Sequence, residues 1–228
     1  MRETEPIFFR VMETLQSYGV LQEFILVGSW CQYFYQDYFG YSPRIPLVRT
    51  LDLDFMIPNP PRIREDINVG ELLENLGFER RTDTLSGLSK FMHPDLEVEF
   101  LFPEQGRGKN TPYEIKKLHI NAEGLRYLNL LQQHVLILNR TGIEIRVPEP
   151  AAFVLHKHII SERRTNVDKK AKDKAVALEI GDYLLDLPEQ RRKLISVYRG
   201  LPESWKKTLL GILNTDHLAM HKFLKESQ

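Results

Sequence analysis

Three carboxylates on two short alternating runs hold most of the chemistry in this chain. The first run is Thr50-Leu51-Asp52-Leu53-Asp54-Phe55-Met56-Ile57. In a β-strand alternate side chains share a face. Asp52 and Asp54 are therefore predicted to point one way, and Leu51, Leu53 and Phe55 the other way into a core. Two like charges side by side on an apolar strand are costly, and a divalent cation is the usual compensation. Hard oxygen donors suit Mg²⁺ or Mn²⁺. The second run is Leu96-Glu97-Val98-Glu99-Phe100-Leu101. If it lies beside the first, Glu97 or Glu99 completes a cluster; Glu99 is preferred, because it sits deeper in the apolar run. Three carboxylates in one pocket can hold two metal ions, one orienting a triphosphate and one activating an attacking hydroxyl. A sheet with one solvated acidic face produces the same alternation, and metal binding separates the two readings.

A third feature lies upstream. Phe24-Ile25-Leu26-Val27 reads as a short buried strand stopped by Gly28, and Ser29 is predicted to cap a following helix through Trp30, Tyr33, Phe34 and Phe39. Glycine at such a turn lets backbone approach a ligand, and a helix start offers free N–H groups to phosphate. The same residues also make an ordinary strand-to-helix turn.

Together, Val27-Gly28-Ser29, Asp52-Leu53-Asp54 and Glu99 resemble the pattern of the nucleotidyltransferase superfamily related to DNA polymerase β. There an apolar-Gly-Ser turn precedes Asp-x-Asp, and a third carboxylate stands on a neighbouring strand. The 22 residues between Ser29 and Asp52 exceed the separation in minimal members. The stretch Arg49-Thr50-Leu51-Asp52-Leu53-Asp54-Phe55 looks like the Arg-x-Thr-x-Asp-x-Asp style of the AbiEii-like branch, which includes toxins of toxin–antitoxin systems. That branch places a helical lysine and a later Lys-Asp pair on the nucleotide pocket. The resemblance carries these roles to Lys157 and to Lys172-Asp173. Lysines would hold triphosphate charge, and Asp173 would orient Lys157 or act as a base. Without the resemblance, Lys169-Lys170-Ala171-Lys172 would read as a solvated helix start.

The elements that must position these residues fall into two stretches. Up to Val147, apolar segments alternate with turns; a helix is predicted over Pro6–Tyr18, ended by Gly19. Strands are predicted at Leu51–Ile57, Lys90–Met92, Leu96–Phe102, Val135–Leu138 and Ile143–Val147, with a helix around Ile67–Leu76 and helix or loop between residues 103 and 134. After Pro148-Glu149-Pro150 the pattern is four or five helices, punctuated at Pro188, Pro202 and Asn214. The predicted class is α+β: a mixed sheet flanked by helices (residues 1–147), then a helical domain (148–228).

Composition narrows the function classes. Thirty-one basic residues balance 31 acidic ones, which argues against a strongly basic nucleic-acid binder. The single cysteine, Cys31, excludes an internal disulfide and reads as a small core residue. No apolar run approaches a membrane span, so a cytoplasmic protein without a membrane partner is expected. His156 and His158 point to nearly opposite helix faces and chelate poorly. Gly106-Arg107-Gly108-Lys109 is a basic loop able to touch phosphate or an acceptor, and more simply a solvent loop. The dense aromatic set from Trp30 to Tyr41 reads as packing.

The sequence thus predicts a metal-dependent transfer of a nucleoside monophosphate from a nucleoside triphosphate to a hydroxyl acceptor, with Mg²⁺ or Mn²⁺ as cofactor. The acceptor is open: small molecule, RNA or protein. The alternatives are a toxin-like enzyme modifying tRNA or protein, with an antitoxin partner, and a nucleotide-binding module without turnover.

Overall fold

A computed structural model of the chain describes residues 6–47, 50–104, 106, 108–109 and 111–227. Helix α1 (Ile7–Ser17) buries Ile7, Phe8, Val11, Met12 and Leu15 along one stripe. Gly19, at φ 68°, turns the chain into β1 (Ile25–Val27). A 3₁₀ turn at Gly28–Trp30 leads to α2 (Cys31–Tyr38). Strand β2 (Asp52–Met56) follows, then α3 (Val69–Asn75), capped by the Asn68 side chain.

Strands β3 (Glu79–Thr82), β4 (Ser89–His93) and β5 (Leu96–Pro103) form a meander. Next come β6 (Tyr113–Ile115), β7 (Ile120–Leu125), α4 (Leu128–Gln133) and the hairpin β8 (Val135–Arg140)–β9 (Ile143–Pro148). The tail is helical: α5 (Pro150–Ser161), α6 (Val167–Asp186), α7 (Pro188–Gly200), α8 (Glu203–Asp216) and α9 (Leu218–Glu226).

The main sheet runs β1-β2-β5-β4-β3, with β7 alongside the far half of β5 and β6 on β7. Strand β2 is antiparallel to β1 and parallel to β5. Its register is fixed by the core face. Leu53, Phe55, Val98 and Phe100 are buried, and Phe24, Phe55 and Phe91 surround Phe100 with ring centroids 5.5, 6.1 and 6.1 Å from it. Burying each such side chain is worth about 1.5–3 kcal/mol, and a one-residue slip would turn both aspartates into the core.

Helix α5 is buried along almost its whole circumference, as a core helix must be. It packs against α4, α6, α7 and α8, and one continuous apolar cluster joins it to the sheet. Tyr35 Oη donates 2.7 Å to the carbonyl of Pro148, tying α2 to the start of α5.

Several local expectations are corrected. Leu51 is 59% exposed rather than in the core; it precedes the strand, its carbonyl accepting from Glu97 N–H at 2.7 Å. Ser29 does not cap a helix: it lies inside the 3₁₀ turn, and α2 starts at Cys31 with no side-chain cap. The last helix break falls at His217, not Asn214. The stretch expected to be helix or loop holds α4 but also β6 and β7, whose short runs with Glu114, Asn121 and Glu123 carry little strand signal. Cys31 is buried, its thiol donating toward the carbonyl of Leu26. Among the described residues no helix is long and apolar enough to cross a membrane.

Candidate active site

The sheet pairing builds the acidic face. Asp52 stands opposite Glu97 and Asp54 opposite Glu99 in the parallel β2–β5 register. Val27 is paired with Asp54 across β1–β2, so Gly28 leaves β1 directly beside that carboxylate. Gly28 has φ +72°, and a β-carbon there would lie 2.2 Å from Asp54 Oδ2. Only glycine satisfies both the left-handed backbone and the close approach.

Helices α5 and α6 supply the opposing wall. Lys157, near the middle of α5, makes a buried ion pair with Asp173 of α6. Arg164 Nε donates 3.0 Å to the other carboxylate oxygen. The start of α6 is set by Asn166, whose side chain accepts from the Lys169 backbone N–H at 2.9 Å. That cap places Lys169, Lys172 and Asp173 on the turns that face the acidic strand. Lys169 Nζ is 3.8 Å from Asp52 Oδ2.

All eight residues singled out from the sequence line one open cavity of about 450 Å³: Gly28, Ser29, Asp52, Asp54, Glu99, Lys157, Lys172 and Asp173. The sequence reading missed Arg164, Lys169 and His156, which line it too. Helical spacing was the available signal: Phe153, His156, Lys157 and Ile160 fall on one face of α5, and Arg164 lies seven residues beyond Lys157. Glu97 is absent from the lining. In the basic loop, Lys109 N donates 2.7 Å to Glu104 Oε1, while Arg107 lies outside the described residues. So does Arg49 of the Arg-x-Thr motif.

The electrostatics set the two walls apart. Burial, reinforced by Asp52, pushes the Asp54 carboxyl up to about 6, against the pull of Lys157, Lys169 and Arg164. Burial also raises Glu99, to about 7, helped by Glu97 and opposed by Lys90. Lys90 Nζ on β4 bridges the two glutamates, at 3.0 Å from Glu97 Oε1 and in an ion pair with Glu99. Although burial works against it, Asp173 is held below the ordinary carboxylate range by Lys157 and Arg164. Burial and then Lys157 lower Lys172.

Among the described residues, no three His, Cys, Asp or Glu side chains are gathered as a ready-made metal site. The donor chemistry nonetheless fits a hard divalent cation. Asp52 and Asp54 offer oxygens from one strand face, and burial and the neighbouring Asp52 charge raise Asp54 despite Lys157, Lys169 and Arg164, a charge problem that a divalent cation would relieve.

A mixed sheet carrying an acidic pair beside a Gly-Ser turn, faced by helical lysines across one cavity, is the architecture of a phosphoryl- or nucleotidyl-handling enzyme. Comparison with known proteins gives the class directly. A family model described as nucleotidyltransferase matches residues 7–194, and the chain belongs to that family and is a nucleotidyltransferase. No curated protein matches it.

Among solved structures, the chain is similar to an antigenic nucleotidyltransferase-like protein from Paracoccidioides brasiliensis. The two are 15% identical, over 96% of this chain and 92% of that one, with a TM-score of 0.48. The solution structure of the antibiotic-resistance factor ANT(2'')-Ia is 12% identical over 96% of each chain, with a TM-score of 0.43. The crystal structure of ANT(2'')-Ia with adenylyl-2''-tobramycin is 13% identical over 84% of this chain and 97% of that one, with a TM-score of 0.45. Likenesses this distant carry no argument about substrates.

Proposed function

We propose that this nucleotidyltransferase moves a nucleoside monophosphate from a nucleoside triphosphate to a hydroxyl acceptor with the help of Mg²⁺ or Mn²⁺. The observation that carries the reading is the convergence of all eight candidate residues, from the sheet and from two helices, on one cavity. Residues 1–147 would supply the transfer core and residues 148–228 the basic wall.

Asp52, Asp54 and Glu99 would hold the divalent cation. Bound there, it would neutralise charge on the triphosphate and lower the pKa of an attacking hydroxyl. The Gly28-Ser29 turn, which carries no side chain at Gly28, would cradle phosphate oxygens. Lys157 and Lys172 face the triphosphate as cations, and Asp173 holds the Lys157 ammonium in place. The acceptor oxygen attacks the α-phosphorus, the bond from that phosphorus to the bridging oxygen breaks, and pyrophosphate leaves. The acceptor's proton passes to a carboxylate on the acidic face, for which Glu99, opposite Asp54 in the strand register, is the candidate.

The test is thermal unfolding with each of four nucleoside triphosphates, with and without Mg²⁺ or Mn²⁺, in wild type and in Asp52→Ala/Asp54→Ala. A ligand at 100 times its Kd stabilises by about 2.7 kcal/mol, roughly 5–11 °C for a chain of this size. A metal-dependent shift that disappears in the double variant supports the reading and ranks the bases. Absence of any shift refutes it and leaves the acidic strand as a solvated face.

A further inference from the structure

We propose that His156 is a substrate-contact residue whose ring hydrogen-bonds a sugar hydroxyl of the bound nucleotide. The inference rests on the nucleotide reading above and adds a residue and a recognised group to it.

His156 lies on the cavity face of α5, between Phe153 and Ile160 and next to Lys157. It is 5% exposed, and its Nε2 is buried without a hydrogen-bond partner among the described residues. Buried polar atoms are nearly always paired, so an orphan in the wall of a cavity points to a partner that arrives with the ligand. His158 on the same helix is also buried and lies outside the cavity; its Nε2 shares a 3.2 Å hydrogen bond with His217 Nδ1 while its Nδ1 is unpartnered, so it is the place of His156 in the cavity wall, together with its orphan nitrogen, that singles it out.

The character of the site selects the partner. Burial, then the Lys157 charge, drives the imidazole down to about 3, so the ring is neutral near pH 7. A neutral imidazole offers one N–H donor and one acceptor nitrogen. A hydroxyl matches either role. Phosphate oxygens only accept, and the cavity already answers them with Lys157, Lys172, Lys169 and Arg164. The cavity wall also has an apolar part, formed by Phe153 and Ile160 of α5 with Leu128 and Leu131 of α4. A sugar, with an apolar face and hydroxyl edges next to its phosphates, suits such a surface.

Isothermal titration calorimetry in Mg²⁺ tests this. The probes are the nucleoside triphosphate that wild type binds best and its 2′-deoxy and 3′-deoxy forms, titrated into wild type, His156→Phe and His156→Gln. Wild type should bind one deoxynucleotide about three- to tenfold more weakly than the ribonucleotide. His156→Phe should lose a similar factor on the ribonucleotide and no longer distinguish the two, while His156→Gln keeps part of the discrimination. The proposal is overturned if His156→Phe discriminates as wild type does. If that variant does not fold, equal affinity of wild type for all three probes overturns it instead. Failure of wild type to bind any triphosphate defeats the nucleotide reading itself, a result distinct from loss of discrimination.

Discussion

Gly28 and Asp54 touch: the glycine leaves β1 with its α-carbon so close that a β-carbon would lie 2.2 Å from Asp54 Oδ2. The turn and the acidic strand are therefore one structural unit. Gly28→Ala should cost about 1–3 kcal/mol for its φ of +72° and, in addition, push Asp54 aside. The expected outcome is a folded protein by circular dichroism whose Mg²⁺-dependent stabilisation by triphosphate falls at least tenfold in affinity. Wild-type affinity in Gly28→Ala would remove Asp54 from the metal site.

The Lys157–Asp173 pair is buried on both sides. Asp173→Asn leaves the ammonium uncompensated, and breaking one partner of such a pair costs about 3–5 kcal/mol. Urea unfolding should show that loss. The double variant Lys157→Met/Asp173→Leu should recover much of it while still failing to bind triphosphate, because packing is restored and phosphate charge is not. If the double variant binds normally, Lys157 is a structural residue only.

Protonation of Asp54 gives a pH signature. Its folded carboxyl titrates near 6, against an unperturbed value of 3.8. Between those values the folded chain keeps a proton that the unfolded chain has released. The stability contributed by this group is full below about pH 4 and lost as pH rises through 6. Without metal, Asp54→Asn should therefore exceed wild type in stability above pH 6, by on the order of 2–3 kcal/mol, and the gap should close near pH 4. His156 and His158, both driven to about 3, act with the opposite sign below pH 6.5, so the difference between the two proteins is the quantity to follow. Saturating Mg²⁺ should narrow the gap at pH 7.5 by stabilising wild type alone.

Lys90 supplies positive charge to Glu97 and Glu99 from the neighbouring strand. Lys90→Met removes that charge and leaves two carboxylates facing each other. The variant should melt lower than wild type without metal and show a larger Mg²⁺-dependent rise in Tm. An unchanged Mg²⁺ response would separate Glu99 from the cation.

Much of the acidic site was legible in the chain itself. Period-two alternation around Asp52 and Asp54 requires a shared face in any strand, and burial of Leu53 and Phe55 fixes which face that is. The α+β order followed from apolar periodicity and from Pro148 and Pro150, which end the last hairpin and begin a buried helix. Boundaries were less legible. Leu51 fits the alternation, yet it precedes the strand and stays exposed; Ser29 has a capping side chain, yet the chain tightens into a 3₁₀ turn there instead.

Long-range pairing lay outside what local pattern can encode. That Glu99, not Glu97, stands opposite Asp54 depends on the parallel β2–β5 register, which is set by packing of Phe24, Phe91 and Phe100 contributed from three separate segments. Lys157 reads locally as one polar residue in an apolar helix. Its burial against Asp173, and the arrival of both at the acidic strand, come from the packing of α5 on α6 and on the sheet. His156 shows the same limit most sharply. The sequence determines a histidine on a helical face, and only the tertiary structure decides that the face lines a cavity and leaves Nε2 without a partner.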